Sequence, residues 1–456
     1  MTRSSPALTG RTVAGHGTAR RRLLTTLLVY GLLFGGVTWR LFDVQVRNAD
    51  VYADRGASQR ERTVTLQPRR GRLYDRDGNV LATSVDASTI YVDPRVFHPS
   101  TSNSGLPLPA AADRAVVAEA LAPLVGIDVE VLRERFDTDR HFVYVARQLD
   151  WELGEKIMAL GLPGVGSLAE PRRVYPANGL AGQVIGFTGL DGQGLTGLEM
   201  VHNTMLAGEP GTLALERAPG GLSIASAVRQ IQPAVPGTDL VLTIDRDIQD
   251  SAQRAAADAV EDFNALSATI VVLEIGTGDI LAMASAPGYD PNARVDGEED
   301  RWRLKAVTDV FEPGSVQKAV TAAAALEEGI VTRNSIFSVA DNIRVGNKTF
   351  TDSHDHPTEQ MTFNDIIKTS SNVGTIMVAQ ELGKERLGSY IDRFGFGSLT
   401  GLGLPGESPG LVLPTDKWWS TSLPTIAIGQ GIAMTLLQAA NFYATIGNDG
   451  VGVTPR

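Results

Sequence analysis

This 456-residue chain reads as an α+β protein carried on a single N-terminal membrane-spanning helix. Three observations carry that reading. Leu23 to Trp39 runs for 17 residues without a charge, directly after Arg20-Arg21-Arg22. Between Thr238 and Ala284 a strand, a long helix and a glycine-turned hairpin follow one another. An alanine-rich helix then begins just past Pro313-Gly314. The second and third observations place helices against an antiparallel sheet.

Composition narrows the function classes. With 43% hydrophobic and 20% charged residues the chain is globular and long enough to bury more than one core. A formal net charge of −11 argues against a nucleic-acid binder, whose footprint would be basic. The absence of cysteine excludes disulfides, thiolate zinc sites and cysteine nucleophiles. Only seven of the 41 basic residues are lysines, so each lysine merits attention.

Residues 1–22 are polar and rich in Ser, Thr, Gly and Arg, and read as a disordered cytoplasmic tail. The uncharged run that follows would measure about 25 Å as a helix, near the lower limit for a span. Leu41 and Phe42 extend it to residues 23–42 if Arg40 snorkels to the headgroups. A buried helix or a cleaved signal peptide would look similar. The preceding arginines, with no small-residue cleavage site afterwards, favour an uncleaved anchor with its N-terminus in the cytoplasm and all later residues outside it.

Residues 43–235 read as a mixed region. Short strands are expected at Thr63–Leu66, Val80–Ala82 and Ser88–Val92, with a turn at Asp77-Gly78. Residues 97–110 are loop-like, helices follow near 111–124 and 128–136, and further strands run to a linker at Gln232–Gly237. The second unit, 236–456, opens with a strand at Leu240–Thr243. A helix capped by Asp245 then runs to about Phe263, and a hairpin turns over Gly276-Thr277-Gly278.

Two motifs carry chemistry. Ser315 sits at the start of the alanine-rich helix, with Lys318 three residues on along the same face. A serine hydroxyl needs a base to become a nucleophile, and a lysine can serve if burial lowers its pKa. The helix start adds a free N–H and a positive dipole end where an oxyanion could form. Alone, the pattern is better read as a helix-capping serine with a solvated lysine. Further on, Thr362 and Asp365 cap a short helix to Thr369 that leads into Ser370-Ser371-Asn372, Ser370 lying 55 residues after Ser315, and then a helix stopping at Gly383. A second hydroxyl beside an amide suits acyl transfer, one relaying a proton and one orienting substrate. Alone, this too would pass for a polar helix connection.

Together the motifs resemble those of the serine acyltransferases that bind penicillin. Further blocks narrow the resemblance to the class B penicillin-binding proteins. Pro68-Arg69-Arg70-Gly71-Arg72-Leu73-Tyr74-Asp75-Arg76-Asp77-Gly78-Asn79-Val80-Leu81-Ala82 looks like the family's pedestal signature, and Tyr175-Pro176 and Gly194 to Glu199 like its later pedestal blocks. Phe394 to Gly397, Leu404 to Glu407, Ile428 to Gly431 and Leu437-Gln438 match its transpeptidase domain. The blocks occur in family order over roughly residues 20–456, and the wording around Ser370 is most similar to the septal, FtsI-type members, with elongation-type relatives second.

The resemblance implies a pedestal or dimerisation domain at 43–235 and a transpeptidase domain, helices around an antiparallel sheet, at 236–456. It implies that Ser315 attacks the penultimate D-alanine carbonyl of a D-Ala-D-Ala stem peptide, with Lys318 as general base. Ser370 would pass a proton to the leaving D-alanine, and Asn372 would bind substrate or hold Lys318. β-Lactams would acylate Ser315. A glycan-strand polymerase and other division proteins are the implied partners, with no cofactor and no metal. A β-lactam sensor, or a chain with only a scaffold role in division, are the competing readings.

The family's third motif, K-T-G, is not found; Lys348-Thr349-Phe350 lacks the glycine and precedes Ser370. The sequence therefore reads as C-terminally truncated, and the polypeptide as written is expected to lack the transpeptidase activity that its full-length parent would have. Two other patterns are set aside. Gly192-x-Gly194-x-x-Gly197 is a dinucleotide fingerprint on paper, without βαβ alternation around it. His354-x-His356 with Asp352 and Asp355 could bind a metal, though a solvated loop is the simpler reading.

Overall fold

Apolar side chains need somewhere to go, and the first helix leaves its own outside. A computed structural model describes residues 16–48, 61–97, 112–140, 142–217, 223–295 and 297–456. They form two compact units. The first comprises the chain up to Leu66 together with Pro210–Pro233. Its helix, His16–Phe42, runs on through a π-helical turn at Asp43–Arg47. The stretch Arg20–Arg47 has mean hydropathy 1.4, none of it is buried, and it is long and apolar enough to cross a membrane. The same unit holds a three-stranded antiparallel sheet with Gly211–Arg217 between Glu61–Leu66 and Ser223–Gln232. The strand expected at Thr63–Leu66 is therefore present, paired with a partner some 150 residues later along the chain.

The second unit spans Gln67–Glu209 and Ala234–Arg456. Its first sheet is organised by the strand Val80–Val92, 13 residues long. The sequence predicts two short strands here, because Thr83-Ser84-Val85-Asp86 breaks the apolar alternation. Pairing wins: Val165–Val174 runs antiparallel to it from Thr83 to Val92, and Val143–Asp150 flanks its other edge. At its start, buried Asp75 accepts the N–H groups of Asp77 (3.0 Å) and Asn79 (2.7 Å), and Gly78 takes a left-handed φ of +86°, which closes the expected Asp77-Gly78 turn. Helices Arg114–Val125 and Val129–Arg135 follow, capped by Asp113 and Asp128. Trp151–Ala159 is also a helix, where only strands are expected from the sequence. The loop expected at 97–110 lies, beyond Phe97, outside the described residues.

The glycines of the dinucleotide-like pattern serve packing. A Cβ on Gly194 would lie 1.8 Å from the Glu199 carbonyl oxygen, and Gly197 has φ +55° with the Gly186 N–H alongside. That close backbone lets Glu199, fully buried, sit between Arg70 and Arg173. Its Oε2 meets Arg70 Nε, and its Oε1 meets Arg173 Nε at 2.7 Å. Arg70 also reaches Asn203 Oδ1 (2.8 Å) and Arg173 the Gly71 carbonyl (2.7 Å), so one carboxylate ties three distant stretches together.

Helix Arg246–Asp262 is capped by Asp245, whose carboxylate accepts the N–H groups of Asp247 and Ile248. It packs Ala252 and Ile248 onto Ala282 and Ala284 of an antiparallel hairpin, Ala268–Leu273 with Ile280–Ala286. Around this lies a helical layer, Lys318–Glu327, Asn372–Leu382, Lys384–Arg393 and Leu436–Gly447, closed over Phe396, Phe442 and Trp418. A further core joins Leu73, Leu81, Tyr175 and Phe187 to Met283, Leu304 and Leu437. The segments before residue 210 and after 280 thus share buried apolar surface within this unit.

Candidate active site

Pro313-Gly314 breaks the chain as its composition predicts, but Ser315 lies in a 3₁₀ turn, Gly314–Gln317, ahead of the α-helix that starts at Lys318. The cause is Gly314, at φ +56°, and the loop facing it. Gly314 N–H donates to the Gly429 carbonyl (2.9 Å), and Glu312 Oε1 accepts the Gly431 N–H (2.8 Å). Gly429 is at φ +78°, and a Cβ there would fall 1.9 Å from the Gly314 oxygen. The Gly429→Ala chain is therefore expected to lose about 1–3 kcal/mol of stability from overpacking, with added left-handed strain, and to displace the Ser315 turn. Chemical denaturation alongside Gly431→Ala, where only Thr425 Cγ2 at 3.5 Å faces the added methyl, checks this.

Lys318, on the first turn of the α-helix, is only 3% exposed. Its Nζ donates to Ser370 Oγ at 3.0 Å and to the Ser370 carbonyl. Burial pulls its ammonium down to about 8, against the opposing pull of the Asp352 anion. Ser370 Oγ in turn donates to Ser315 Oγ at 3.1 Å. No direct hydrogen bond joins Ser315 to Lys318 among the described residues; the Ser370 hydroxyl stands between them. Both serines are exposed, so the hydroxyl pair is open to solvent while the amine behind it is not. The Ser315 N–H makes no hydrogen bond among the described residues, which leaves a donor where an oxyanion could form.

Ser370 owes its place to a two-residue break between helices. Thr362 and Asp365 form the expected capping box for Phe363–Thr369. Ser370 then ends that helix at φ +55° and ψ +40°, a left-handed conformation costly for a non-glycine residue. Ser371 immediately caps Asn372–Leu382, its hydroxyl accepting the Gly374 N–H (2.8 Å), and that helix stops at Gly383 as predicted. The turn points both the Ser370 hydroxyl and its carbonyl at Lys318. Asn372 does not hold Lys318: its Nδ2 donates to the Thr351 carbonyl at 2.8 Å.

Sequence reasoning misses two groups here. Asp352 and His356, read as part of a solvated loop, have side chains only 5% and 7% exposed. Asp352 receives the Asn372 and Val373 N–H groups and the Ser371 hydroxyl, directly behind Ser370. His354 and Asp355 are exposed, as that reading holds. A cavity of about 690 Å³, lined by Leu326, Tyr390, Arg393, Leu399, Gln438 and Thr454 among others, includes none of Ser315, Lys318, Ser370 or Asn372.

A nucleophile-ready hydroxyl, a relaying hydroxyl and a buried amine form one hydrogen-bonded row, which is the equipment of covalent acyl transfer. Comparison with known proteins points the same way. Residues 65–242 match the Penicillin-binding Protein dimerisation domain, and residues 268–456 the Penicillin binding protein transpeptidase domain. The chain is 34% identical to penicillin-binding protein PbpB of Mycolicibacterium smegmatis, over 97% of this chain and 69% of that one. PbpB of Mycobacterium tuberculosis is also 34% identical, with 97% and 65% covered. Peptidoglycan D,D-transpeptidase FtsI of Escherichia coli K12 is 32% identical, with 93% and 70% covered. The chain thus spans about two thirds of the length of these relatives. Among solved structures, a peptidoglycan synthetase from Bifidobacterium adolescentis superposes with a TM-score of 0.66 at 31% identity, covering 87% of this chain and 74% of that one. Penicillin binding protein 3 of Mycobacterium tuberculosis, complexed with aztreonam, gives 0.63 at 30%, with 86% and 67% covered. The pedestal blocks, the Ser315 turn and the Ser370 break fall in order within those matches, and the chain belongs to the class B penicillin-binding proteins, a dimerisation domain followed by a transpeptidase domain.

Proposed function

We propose that this chain is a membrane-anchored peptidoglycan D,D-transpeptidase of septal wall synthesis that works through an acyl-enzyme on Ser315. In this reading residues 1–22 face the cytoplasm, 23–42 cross the membrane, 43–235 form the pedestal and 236–456 the transpeptidase domain outside the cell. The observation that carries it is the row Ser315 Oγ, Ser370 Oγ, Lys318 Nζ, with the amine buried and its pKa near 8.

With Lys318 neutral, the row runs in the direction that chemistry needs. Ser315 Oγ attacks the carbonyl carbon of the penultimate D-alanine, while its proton passes to Ser370 Oγ and the Ser370 proton to Lys318 Nζ. The Ser315 N–H receives the developing oxyanion. When the tetrahedral intermediate breaks, the C–N bond to the terminal D-alanine opens and the leaving amine takes a proton back through Ser370. The amine of a second stem peptide then attacks the ester, losing its proton to the same row, and Ser315 leaves with a proton restored. Asn372, its Nδ2 committed to Thr351, keeps Oδ1 as an acceptor for a substrate N–H. A β-lactam replaces the dipeptide, and its opened ring stays attached to Ser315. A glycan-strand polymerase and other division proteins are the partners this reading implies.

Acylation uses the first two motifs, whereas cross-linking also calls on cations for the substrate carboxylate, so penicillin labelling is the direct test. A fluorescent penicillin is expected to label the detergent-solubilised protein, and Ser315→Ala to abolish the label. Equal labelling of that variant would remove Ser315 from the mechanism, and absence of labelling in the wild type would favour a scaffold role. Transfer or hydrolysis of a depsipeptide analogue separates an enzyme from a sensor.

A further inference from the structure

Behind the serine–lysine row lies a second cluster of ionisable groups that the mechanism above does not use. Asp352 follows the strand Lys348–Thr351, and its carboxylate is almost wholly enclosed. Oδ1 accepts the N–H groups of Asn372 and Val373 (2.9 Å for the latter). Oδ2 accepts the Ser371 hydroxyl at 2.7 Å and lies 3.2 Å from His356 Nε2. The other ring nitrogen of His356, Nδ1, is 2.8 Å from the Pro357 carbonyl oxygen. Both partners are acceptors once Asp352 is ionised, so the ring makes both bonds only as the doubly protonated imidazolium. The neighbouring His354 is exposed and turns to Ser353 Oγ instead.

The four donors decide the charge of Asp352. Burial alone would raise its pKa, but the Val373 N–H, the Ser371 hydroxyl, His356 and the Asn372 N–H together hold it below the usual carboxylate range. The anion also sits at the N-terminus of the 11-residue helix Asn372–Leu382, where the dipole favours it. It is the charged group that acts on Lys318 among the described residues, and it favours the ammonium form that burial opposes.

We propose that Asp352, clamped by His356, is a positioning residue for acylation: by tying down the first amides of Asn372–Leu382 it fixes the two-residue turn in which Ser370 presents hydroxyl and carbonyl to Lys318. This rests on the reading of Ser315, Lys318 and Ser370 given above. The Asp352 carboxylate and its charge act separately. Loss of the carboxylate frees the turn, and loss of its charge alone alters the protonation of Lys318. A group that merely stabilised the fold would produce neither at constant stability.

The test follows Lys318 directly. The whole chain, ¹³C-labelled at its lysines and held in detergent, is titrated by NMR as wild type, Asp352→Asn, Asp352→Ala and His356→Gln, with the Lys318 signal identified by its loss in Lys318→Arg. Asp352→Asn keeps an acceptor for the two amides but removes the anion. Its Lys318 midpoint is expected to fall below the wild-type value near 8. The sign follows from charge: the anion stabilises the ammonium, so without it the proton leaves at lower pH. Asp352→Ala is expected to show the same downward shift and to slow acylation by fluorescent penicillin about 100-fold, the effect of a misplacement near 1 Å. His356→Gln, which retains one donor, is expected to fall between that variant and the wild type in acylation rate. Unchanged acylation in Asp352→Ala overturns the proposal whatever the Lys318 midpoint does; if Asp352→Ala does not fold, unchanged acylation in His356→Gln overturns it. Failure of the nucleophile reading is distinguishable, because labelling that survives Ser315→Ala would reject it while the Lys318 midpoints still report whether Asp352 acts on the amine.

Discussion

Replacing Lys318 by methionine is expected to slow acylation of Ser315 by a penicillin about 10²- to 10⁴-fold, the usual worth of a general base. Methionine is the informative choice because the site is only 3% exposed and an unbranched apolar chain fills it without opening a cavity. What disappears is the acceptor at the end of the hydroxyl row. The pH dependence separates chemistry from packing. Burial sets the Lys318 pKa near 8, and only the neutral amine can take a proton. The wild-type acylation rate should therefore climb with pH and level off above about 8, whereas the methionine variant should lack that limb. Time-resolved labelling across pH 6 to 10 (roughly two units on either side of the midpoint) measures both. A methionine variant that keeps the wild-type rate and the limb would remove Lys318 from the mechanism.

Glu199→Ala is expected to cost about 3–5 kcal/mol of stability, a large part of the 5–15 kcal/mol typical of a folded domain. The carboxylate is fully buried between Arg70 and Arg173, whose side chains are themselves only 6% and 5% exposed. Removing it leaves two enclosed guanidinium groups facing each other with no anion. Arg70 retains the Glu199 and Gly192 carbonyls and Asn203, and Arg173 retains Gly71, so hydrogen bonds remain but charge compensation does not. Denaturant titration followed by far-UV circular dichroism gives the loss directly. A loss below about 1 kcal/mol, the scale of an exposed pair, would show that the enclosure is incomplete.

The parts of this architecture legible in the sequence are those written in short-range chemistry. The capping box of Thr362 and Asp365, the helix stop at Gly383, the Asp245 cap and the hairpin over Gly276-Thr277-Gly278 each depend on residues within a few positions of one another. The serine–lysine row was legible as two motifs, and their meeting came from resemblance rather than from periodicity. What escaped was decided by distant partners. Val80–Val92 is one strand because Val165–Val174 pairs along it, although four of its residues break the apolar pattern. Trp151–Ala159 is a helix packed on that sheet, too short for its amphipathic period to stand out among strands. Asp352 and His356 looked like a polar loop because the donors that enclose the carboxylate lie mostly some 20 residues further on.

Position 370 shows two demands that pull against each other. A left-handed turn invites glycine, or asparagine as second best, and either would relax the backbone there. The row from Ser315 to Lys318 instead calls for a hydroxyl at that point. Serine is the compromise, tolerated because helices on both sides leave the backbone no other course. Drift at this position is therefore confined from two directions at once, since a residue more comfortable in the turn would be silent in the chemistry.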